Sequence, residues 1–302
     1  MNGIIIIDKP ADWTSHDVIA KLRGALKQKR IGHGGTLDPM ATGVLPVFIG
    51  RATRAAEFCE NADKEYIAEL QLGIVTDTQD ITGNVLKKNK VSVTEADVAA
   101  ILPRFTGAIK QIPPMYSAVK KDGKKLYELA RKGIEIPREP REININILEY
   151  CHSKQSKESY NNHKFLLRIV CSKGTYIRTL CHDIGEALGC GGTLSALRRT
   201  RAGVFTIDTA HSLDSVLATA LTDSVSASVS SMIKPVDGIF SEFPSLSLAP
   251  SEVGKAKNGA ICKVPASTGN GKYRVYAPDG EFLLLGEVTD SKLKTIKSFY
   301  EV

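Results

Sequence analysis

The chain is arranged around residues 32–43, which read Gly-His-Gly-Gly-Thr-Leu-Asp-Pro-Met-Ala-Thr-Gly. Four glycines in this segment exclude a regular helix or a central strand. Pro39 fixes its own φ and biases Asp38 toward an extended conformation, so the segment predicts a stiff turn that presents one carboxylate. Asp-Pro also fits an ordinary surface turn. However, Val44–Ile49 is typical of a buried strand, and a glycine-rich loop carrying Asp and His beside a core strand is typical of a functional site.

The composition indicates a folded protein with either one large domain or a large domain plus a small one. The chain has 302 residues, of which 42% are hydrophobic. No apolar run approaches the roughly 20 residues needed to span a membrane, and the N-terminus lacks the features of a signal peptide. We therefore expect a cytoplasmic protein with no membrane partner. The six cysteines show no CxxC pair, so the sequence predicts reduced thiols and no metal site.

The positive charge is unevenly distributed along the chain. The formal net charge is +7, and residues 104–141 alone carry +6. Residues 21–30 add five basic side chains and no acidic one. This concentration favours a polyanionic partner, most simply a nucleic acid. The alternative is a solvated face on a basic protein.

Hydrophobic periodicity predicts an α+β fold with strands and helices interspersed. A connector is expected over Arg51–Phe58, a polar hairpin tip over Ser153–His163, and a small all-β unit from about residue 248 onward, around the turn Pro278-Asp279-Gly280. The predicted strands are Ile4–Ile7, Lys64–Leu72, Ile143–Ile147 and Phe165–Cys171. The predicted helices begin after Thr14 or Ser15, run from Thr94 to Leu102 and from Leu126 to Lys132, and follow Thr175.

Two further side chains stand out as candidates for a site. Arg178 falls in the first turn of the last of these helices, off its apolar stripe, where a cation opposes the helix dipole by roughly 0.3–1 kcal/mol. Such an arginine either is solvated or pairs with a carboxylate, and Asp38 is the carboxylate we expect. Tyr66 begins a strand on its apolar face, where a simply packed tyrosine is the alternative.

Seven motifs occur in an order that closely resembles the TruB family of tRNA pseudouridine synthases, in its bacterial form. The resemblance covers nearly the whole chain. The glycine loop and the segment ending in Arg178 are each quite specific. The motifs are Lys9-Pro10 with Thr14-Ser15, the loop at 32–43, Asp63-Lys64-x-Tyr66, Gly73 with Thr76-Asp77-Thr78, Gln111-x-Pro-Pro-x-Tyr-Ser-Ala-Val-Lys120, Gly123 with Leu126-Tyr127-x-Leu-Ala-Arg131, and Cys171-Ser-Lys-Gly-Thr-Tyr-Ile-Arg178.

The resemblance implies that the chain isomerises uridine-55 in the TΨC loop of tRNA to pseudouridine. It implies a flipped base, no metal and no organic cofactor. It also implies a largely antiparallel central sheet flanked by helices over residues 1–247, with a basic RNA-binding insertion at about 104–141, and a reduced PUA-like RNA-binding domain at 248–302. The implied partner is tRNA, contacted at the T arm and the acceptor stem, by a monomer.

The resemblance assigns roles to matching residues. Asp38 aligns with the essential aspartate, acting as nucleophile or as base, and Arg178 with the arginine that pairs with it. Tyr66 aligns with the tyrosine that stacks on the target uracil and assists proton transfer at C5. The substrate-contacting positions are His33, Tyr176, Leu197, Lys9 and Lys120.

One departure from the family pattern lies in the central loop, where Gly34 replaces an expected threonine; we expect this to loosen that side of the loop.

The sequence leaves two rival functions open. One is a relative that works within a guide-RNA ribonucleoprotein, and the other is an RNA-binding or RNA-folding module with little or no catalysis.

Overall fold

The computed structural model describes residues 1–151, 163–220 and 229–300. Within these residues, ten strands form one large sheet, five form a smaller sheet, and two hairpins stand apart. The strands are β1 Gly3–Lys9, β2 Ile31–His33, β3 Thr42–Ile49, β4 Lys64–Leu72, β5 Ile74–Thr76, β6 Val85–Lys88, β7 Gly107–Gln111, β8 Lys120–Lys121, β9 Lys124–Lys125, β10 Arg141–Tyr150, β11 Lys164–Cys171, β12 Gly192–Ala202, β13 Phe205–Thr206, β14 His211–Ser212, β15 Ser245–Ser247, β16 Cys262–Lys263, β17 Gly271–Tyr276, β18 Phe282–Thr289 and β19 Lys292–Ser298. The α-helices are α1 Ser15–Ala25, α2 Ala56–Asn61, α3 Glu95–Ile101, α4 Leu126–Ala130, α5 Ile177–Ala187, α6 Leu213–Ala220 and α7 Pro250–Lys257.

The large sheet is mixed but mostly antiparallel, as the sequence predicts. Its strands follow the order β14-β1-β3-β12-β4-β11-β10-β7, with β2 paired to β3 and β13 to β12. Only the β1–β14 and β3–β12 pairs among them are parallel. Strand β12 therefore lies between β3, which follows the glycine loop, and β4, which carries Tyr66.

Both faces of the sheet are covered around β1, which explains its unbroken run of isoleucines. Ile5 and Ile7 pack on one side with buried residues of α1 and α6. Ile4 and Ile6 pack on the other side with Phe48 and Phe240. Helices α3 and α5 lie against the β4–β11–β10 part of the sheet.

The predicted starts of α1 and α3 are confirmed by their capping geometry. Thr14 accepts a hydrogen bond from the backbone N–H of Asp17, and the Asp17 carboxylate accepts one from the backbone N–H of Thr14. Thr94 and Asp97 form the same reciprocal pair at α3. Each box satisfies two backbone donors that a helix start leaves unpaired.

Several boundaries differ from those predicted. The connector expected at Arg51–Phe58 is helical, with a 3-10 turn over Gly50–Ala55 that runs directly into α2. The helix expected over Leu126–Lys132 ends earlier, at Ala130. The basic segment 104–141 is not wholly an insertion, because β7 is an edge strand of the large sheet. The predicted hairpin tip at 153–163 lies, apart from His163, outside the described residues.

The small sheet follows the order β15-β17-β18-β19-β16. The predicted turn at Pro278–Gly280 joins β17 to β18, which pair antiparallel. The sheet begins with Ser245, three residues before the boundary expected from the sequence. Leu285 and Phe299 from this unit share an apolar cluster with Phe240 and Ile4 of the large unit. Among the described residues, no helix is long and apolar enough to cross a membrane.

Candidate active site

The loop at residues 34–41 joins β2 to β3 and is held by hydrogen bonds to its backbone. Ser15 at the start of α1 fixes Leu37, since its hydroxyl accepts from the Leu37 N–H at 2.9 Å and contacts the Leu37 carbonyl oxygen at 3.2 Å. The N–H of Ala41 donates to the carbonyl of Asp38 at 3.0 Å, which closes a turn around Pro39. The expected stiff turn is therefore present, with the Asp38 side chain presented from it.

Lys9 lies behind this turn and is completely buried. Its ammonium donates to the carbonyl oxygens of Pro10 at 2.7 Å, Trp13 at 2.6 Å and Pro39 at 3.1 Å. The sequence-based interpretation placed Lys9 in contact with substrate. In the structure its three protons are used by backbone acceptors, so its contacts are those of a residue that holds the loop.

Arg199 on β12 is also buried, with 1% of its surface exposed. Its guanidinium donates to the carbonyl oxygens of Val44 at 2.7 Å, Gly35 at 3.0 Å and Thr36 at 3.3 Å. These acceptors lie in the loop and at the start of strand β3. Arg199 was not among the predicted site residues, because it lies in the basic cluster Leu197–Arg201, a pattern typical of an exposed surface.

The ion pair expected between Asp38 and Arg178 is present. The Nε of Arg178 lies 2.9 Å from Oδ2 of Asp38, and Nη2 lies 3.4 Å from Oδ1. The Asp38 side chain is 38% exposed, whereas that of Arg178 is 6% exposed. The carboxylate therefore faces a space that a ligand can enter, while the guanidinium supports it from behind.

The remaining contacts of Arg178 fix its direction. Nη1 donates to the carbonyl of Thr78 at 3.1 Å and Nη2 to the carbonyl of Tyr116 at 3.0 Å. A second carboxylate, that of Asp80, lies 3.8 Å from Nε. Asp80 was not among the predicted site residues, although its place in a polar turn beside the Thr76-Asp77-Thr78 motif was a signal. These partners explain how an arginine can be buried in the first turn of α5.

Tyr66 lies on the same side of the sheet, on β4, and is 9% exposed. Burial raises the pKa of its hydroxyl, and the charge of Asp38 adds to that rise, whereas the neighbouring guanidinium of Arg199 acts in the opposite direction. The structure thus brings Asp38, Tyr66 and Arg178 into one region, with Arg199 beside them.

The other predicted substrate contacts are placed at different depths. His33, at the end of β2, is partly buried, and burial lowers its pKa to about 4. Its ring meets the edge of His16 with centroids 5.4 Å apart. Leu197 is 8% exposed and belongs to the core beside Tyr66. Lys120 is exposed on the β8–β9 hairpin among three further lysines.

Tyr176 precedes α5 and is held by its backbone. The side-chain amide of Gln111 accepts from the Tyr176 N–H at 2.8 Å and donates to the Tyr176 carbonyl at 3.0 Å. Gln111 ends β7 and is 2% exposed. This clamp ties the start of the basic segment to the helix that carries Arg178.

Gly34 has a structural explanation. A Cβ atom on Gly34 would lie 2.7 Å from Cε2 of Phe48 and 2.9 Å from Cβ of Cys59. The space that a side chain at this position would need is therefore filled by Phe48 and by α2. The expectation that Gly34 loosens the loop is not supported, because the glycine is closely packed.

Family models match most of the chain. Residues 23–177 match the N-terminal domain of the TruB family pseudouridylate synthases, and residues 178–241 match the tRNA pseudouridylate synthase B C-terminal domain. The chain belongs to the TruB family.

Relatives of this TruB-family member cover nearly its full length. A protein from Syntrophomonas wolfei named tRNA pseudouridine synthase B is 42% identical over 98% of this chain and 96% of its own. One of the same name from Clostridium kluyveri is 40% identical over 99% of this chain and 100% of its own. As a family member the chain is a pseudouridylate synthase, and the resemblance inferred from its motifs is confirmed.

Solved structures agree with the fold of this TruB-family chain. A chain in the crystal structure of a Cbf5-Nop10-Gar1 complex superposes with a TM-score of 0.73 at 28% identity, covering 99% of this chain and 85% of that one. A chain in an H/ACA ribonucleoprotein bound to a substrate RNA containing 2'-deoxyuridine also gives a TM-score of 0.73, at 26% identity, with the same coverage of both chains. The predicted pseudouridine synthase fold is confirmed.

Proposed function

We propose that this enzyme converts uridine-55 in the TΨC loop of tRNA to pseudouridine without a cofactor. The observation that carries the proposal is the accessible carboxylate of Asp38, held by the buried Arg178 in a region shared with Tyr66. Relatives that match nearly the whole chain bear the name tRNA pseudouridine synthase B, which supports tRNA as the substrate.

The reaction needs a nucleophile or base, a proton acceptor and a dry pocket. The C1′–N1 bond breaks, the uracil turns, and C5 bonds to C1′; C5 then loses a proton and N1 gains one, so the composition of the nucleotide is unchanged. Asp38 acts on the nucleotide as nucleophile or as base, and the adjacent guanidinium of Arg178 orients its carboxylate through the ion pair. Tyr66 stacks on the uracil and assists proton transfer at C5.

The target base must leave its stack before it can reach Asp38, at a cost of a few kcal/mol. In this proposal His33 occupies the space that the base leaves, and Tyr176 and Leu197 line the pocket. The basic segment 104–141, including Lys120, binds the T arm, and the small C-terminal unit contacts the acceptor stem. The polar and basic character of the segment 104–141 favours phosphate contacts. We further propose that the enzyme acts as a monomer in the cytoplasm.

Asp38→Asn tests the catalytic assignment. The wild-type protein is incubated with an unmodified tRNA transcript, and pseudouridine is mapped by carbodiimide treatment and primer extension. We expect a single new stop at the T-loop uridine, and none with Asp38→Asn, whose tRNA affinity stays within a few-fold. Asp208→Asn, which changes an exposed carboxylate outside the site, serves as the control.

The same incubation separates the rival functions. Two of the similar solved structures are ribonucleoprotein or multi-subunit complexes. Product from bare tRNA supports a stand-alone enzyme. Binding without product from the wild-type protein would contradict the proposal and favour a guide-dependent enzyme or a binding module. Full activity in Asp38→Asn would remove Asp38 from the mechanism.

A further inference from the structure

Arg199 lies between the two parts of the sheet that carry the reactive side chains. Strand β12 aligns Arg199 with Gly43 of β3 on one side and with Tyr66 of β4 on the other. The approach to β3 is close, since a Cβ on Gly43 would lie 2.2 Å from the carbonyl oxygen of Arg199. Because Gly43 also has a φ of +103°, glycine is the residue that permits this approach.

The guanidinium then connects the loop to the tyrosine. It donates to the carbonyls of Gly35, Thr36 and Val44 at 2.7–3.3 Å. Arg199 also lies directly opposite Tyr66 in the β12–β4 register. Its charge and a side-chain hydrogen bond from it act to lower the pKa of the Tyr66 hydroxyl. Among the described residues, the pKa of the Tyr66 hydroxyl is also raised by Asp38 on the loop and by Cys171 on β11. Of these three groups, Arg199 carries the positive charge.

We propose that Arg199 is a positioning residue for the reaction, which fixes the Tyr66 hydroxyl against the Asp38 loop and stabilises negative charge on the tyrosine oxygen. This inference rests on the proposed conversion of uridine to pseudouridine. After C5 has bonded to C1′, the Tyr66 hydroxyl gives its proton to a water molecule, and the resulting phenolate takes the C5 proton as the C5–H bond breaks. The electron pair forms the C5=C6 double bond, the C6=N1 pair moves to N1, and N1 takes the proton that the water molecule received.

The side chain has to be an arginine for this task. A guanidinium is planar and carries donors in several fixed directions, whereas an ammonium is a compact point charge. Two loop carbonyls, the carbonyl of Val44 on β3 and the Tyr66 oxygen are partners of the Arg199 guanidinium. These four acceptors exceed the three protons of a lysine ammonium. Arg199→Lys therefore keeps the charge and loses the geometry.

The test measures breakage of the C5–H bond directly. Single-turnover rates are compared for T-arm RNA carrying uridine or 5-deuterouridine at the target position. Arg199→Lys is expected to slow the reaction about 100-fold, the lower range for a positioned proton transfer. It should also increase the isotope effect, because proton transfer from C5 then limits the rate. The affinity for RNA should stay within a few-fold.

Arg201→Met is the matched control, since it removes a cation from the same strand, where Arg201 contacts the carbonyl of Gly203. We expect it to keep the wild-type rate and isotope effect. A residue with a merely structural role would lower the active fraction without changing the isotope effect. Slower turnover in Arg199→Lys with an unchanged isotope effect would therefore overturn the inference and leave the proposed function intact. No product from the wild type would overturn both.

If Arg199→Lys does not fold, the wild-type protein gives the answer by NMR. The Tyr66 ring resonances are identified with Tyr66→Phe. We expect cross-peaks between them and slowly exchanging guanidinium protons of Arg199. Their absence would show that the two groups are not held together, and would overturn the inference.

Discussion

Lys9 and Arg199 are enclosed cations that direct their hydrogen bonds to backbone carbonyls of the loop and its flanks. A loop without regular pairing leaves carbonyls with no strand or helix partner. Leaving such a group buried and unpaired costs on the order of 1–3 kcal/mol. Long cationic side chains that enter from β1 and β12 remove that cost and fix the loop from two sides.

Gly34 offers a test of this close packing. Gly34→Ala is expected to destabilise the protein by about 1–3 kcal/mol, because the added methyl group meets Phe48 and Cys59 in a filled space. The measurement is urea unfolding. Gly32→Ala is the matched control, since the nearest atom to its Cβ would be Cγ2 of Thr53 at 3.9 Å. Equal losses in the two variants would contradict the packing argument.

His33 is expected to make stability depend on pH below neutrality. Burial lowers its pKa to about 4, whereas the unfolded chain titrates at about 6.5. Well above pH 6.5 the imidazole is neutral in both states and has no effect on the free energy of unfolding. As the pH falls from 6.5 toward 4, the unfolded chain takes up a proton that the folded protein does not bind, so the free energy of unfolding decreases.

Urea unfolding of the wild type and of His33→Gln at pH 7.5 and pH 5 measures this effect. The wild type should lose more stability than the variant on going to pH 5. His16, which contacts the ring of His33, is present in both proteins and is therefore matched in the comparison. An equal loss in the two proteins would show that His33 is not buried as a neutral group.

The ion pair between Asp38 and Arg178 was predictable from the sequence. Asp38 lies in a glycine-rich loop beside a core strand, and Arg178 opposes the dipole of its own helix. Arg199 breaks no such rule, since alternating polar residues are common in a half-exposed strand. Its role depends on which strand lies next to β12, and sequence periodicity does not determine that. Lys9 was recognised from its motif, but the sequence did not predict that its side chain is buried.

Strand β7 is linked to the active site by the Gln111 amide, which holds the backbone of Tyr176 two residues before Arg178. Gln111→Met should leave the N–H of Tyr176 without its partner, at about 1–3 kcal/mol. The Tyr176 carbonyl loses the amide but keeps its hydrogen bond from the Leu180 N–H. We expect a reduced turnover rate with little change in RNA affinity. Gln111→Glu can still accept from the Tyr176 N–H, so its turnover rate should lie between those of the wild type and Gln111→Met.

Single-turnover and binding assays check this prediction, with Ala108→Ser on the exposed side of β7 as the control. Wild-type turnover in Gln111→Met would show that the clamp does not position α5.

Strands with one buried face and helices with a capping box were predicted well, because alternation and caps are local signals. The helical connector before β4 was not predicted. The N-cap residues of its 3-10 helix and of α2 are Ile49 and Ala55, and neither provides a side-chain cap. Contacts with the core, through Ala52, Ala55 and Cys59, hold this segment instead. A helix that is stabilised in this way shows little hydrophobic periodicity when its sequence is short.

The distribution of charge over the whole molecule predicts strongly salt-dependent binding. The net charge is +7, and the segment 104–141 carries +6 of it. Each phosphate contact releases counterions, so log Kd for tRNA should rise linearly with log salt concentration, by roughly 0.7–0.9 per contact. Filter binding between low and moderate salt measures the slope, and Lys120→Ala should reduce it by about one contact. A flat response would show that the basic segment does not meet RNA.

The position of β1 has a consequence for synthesis of the protein. This first strand pairs with β14 and, through Ile4, with Lys234, and its isoleucines pack against Phe240. None of these partners exists until most of the chain has left the ribosome. Strand β3 and helix α1 are made early and can pair with β1 and cover part of it. The second edge of the strand, and the apolar surface that Phe240 covers, therefore stay open through most of translation.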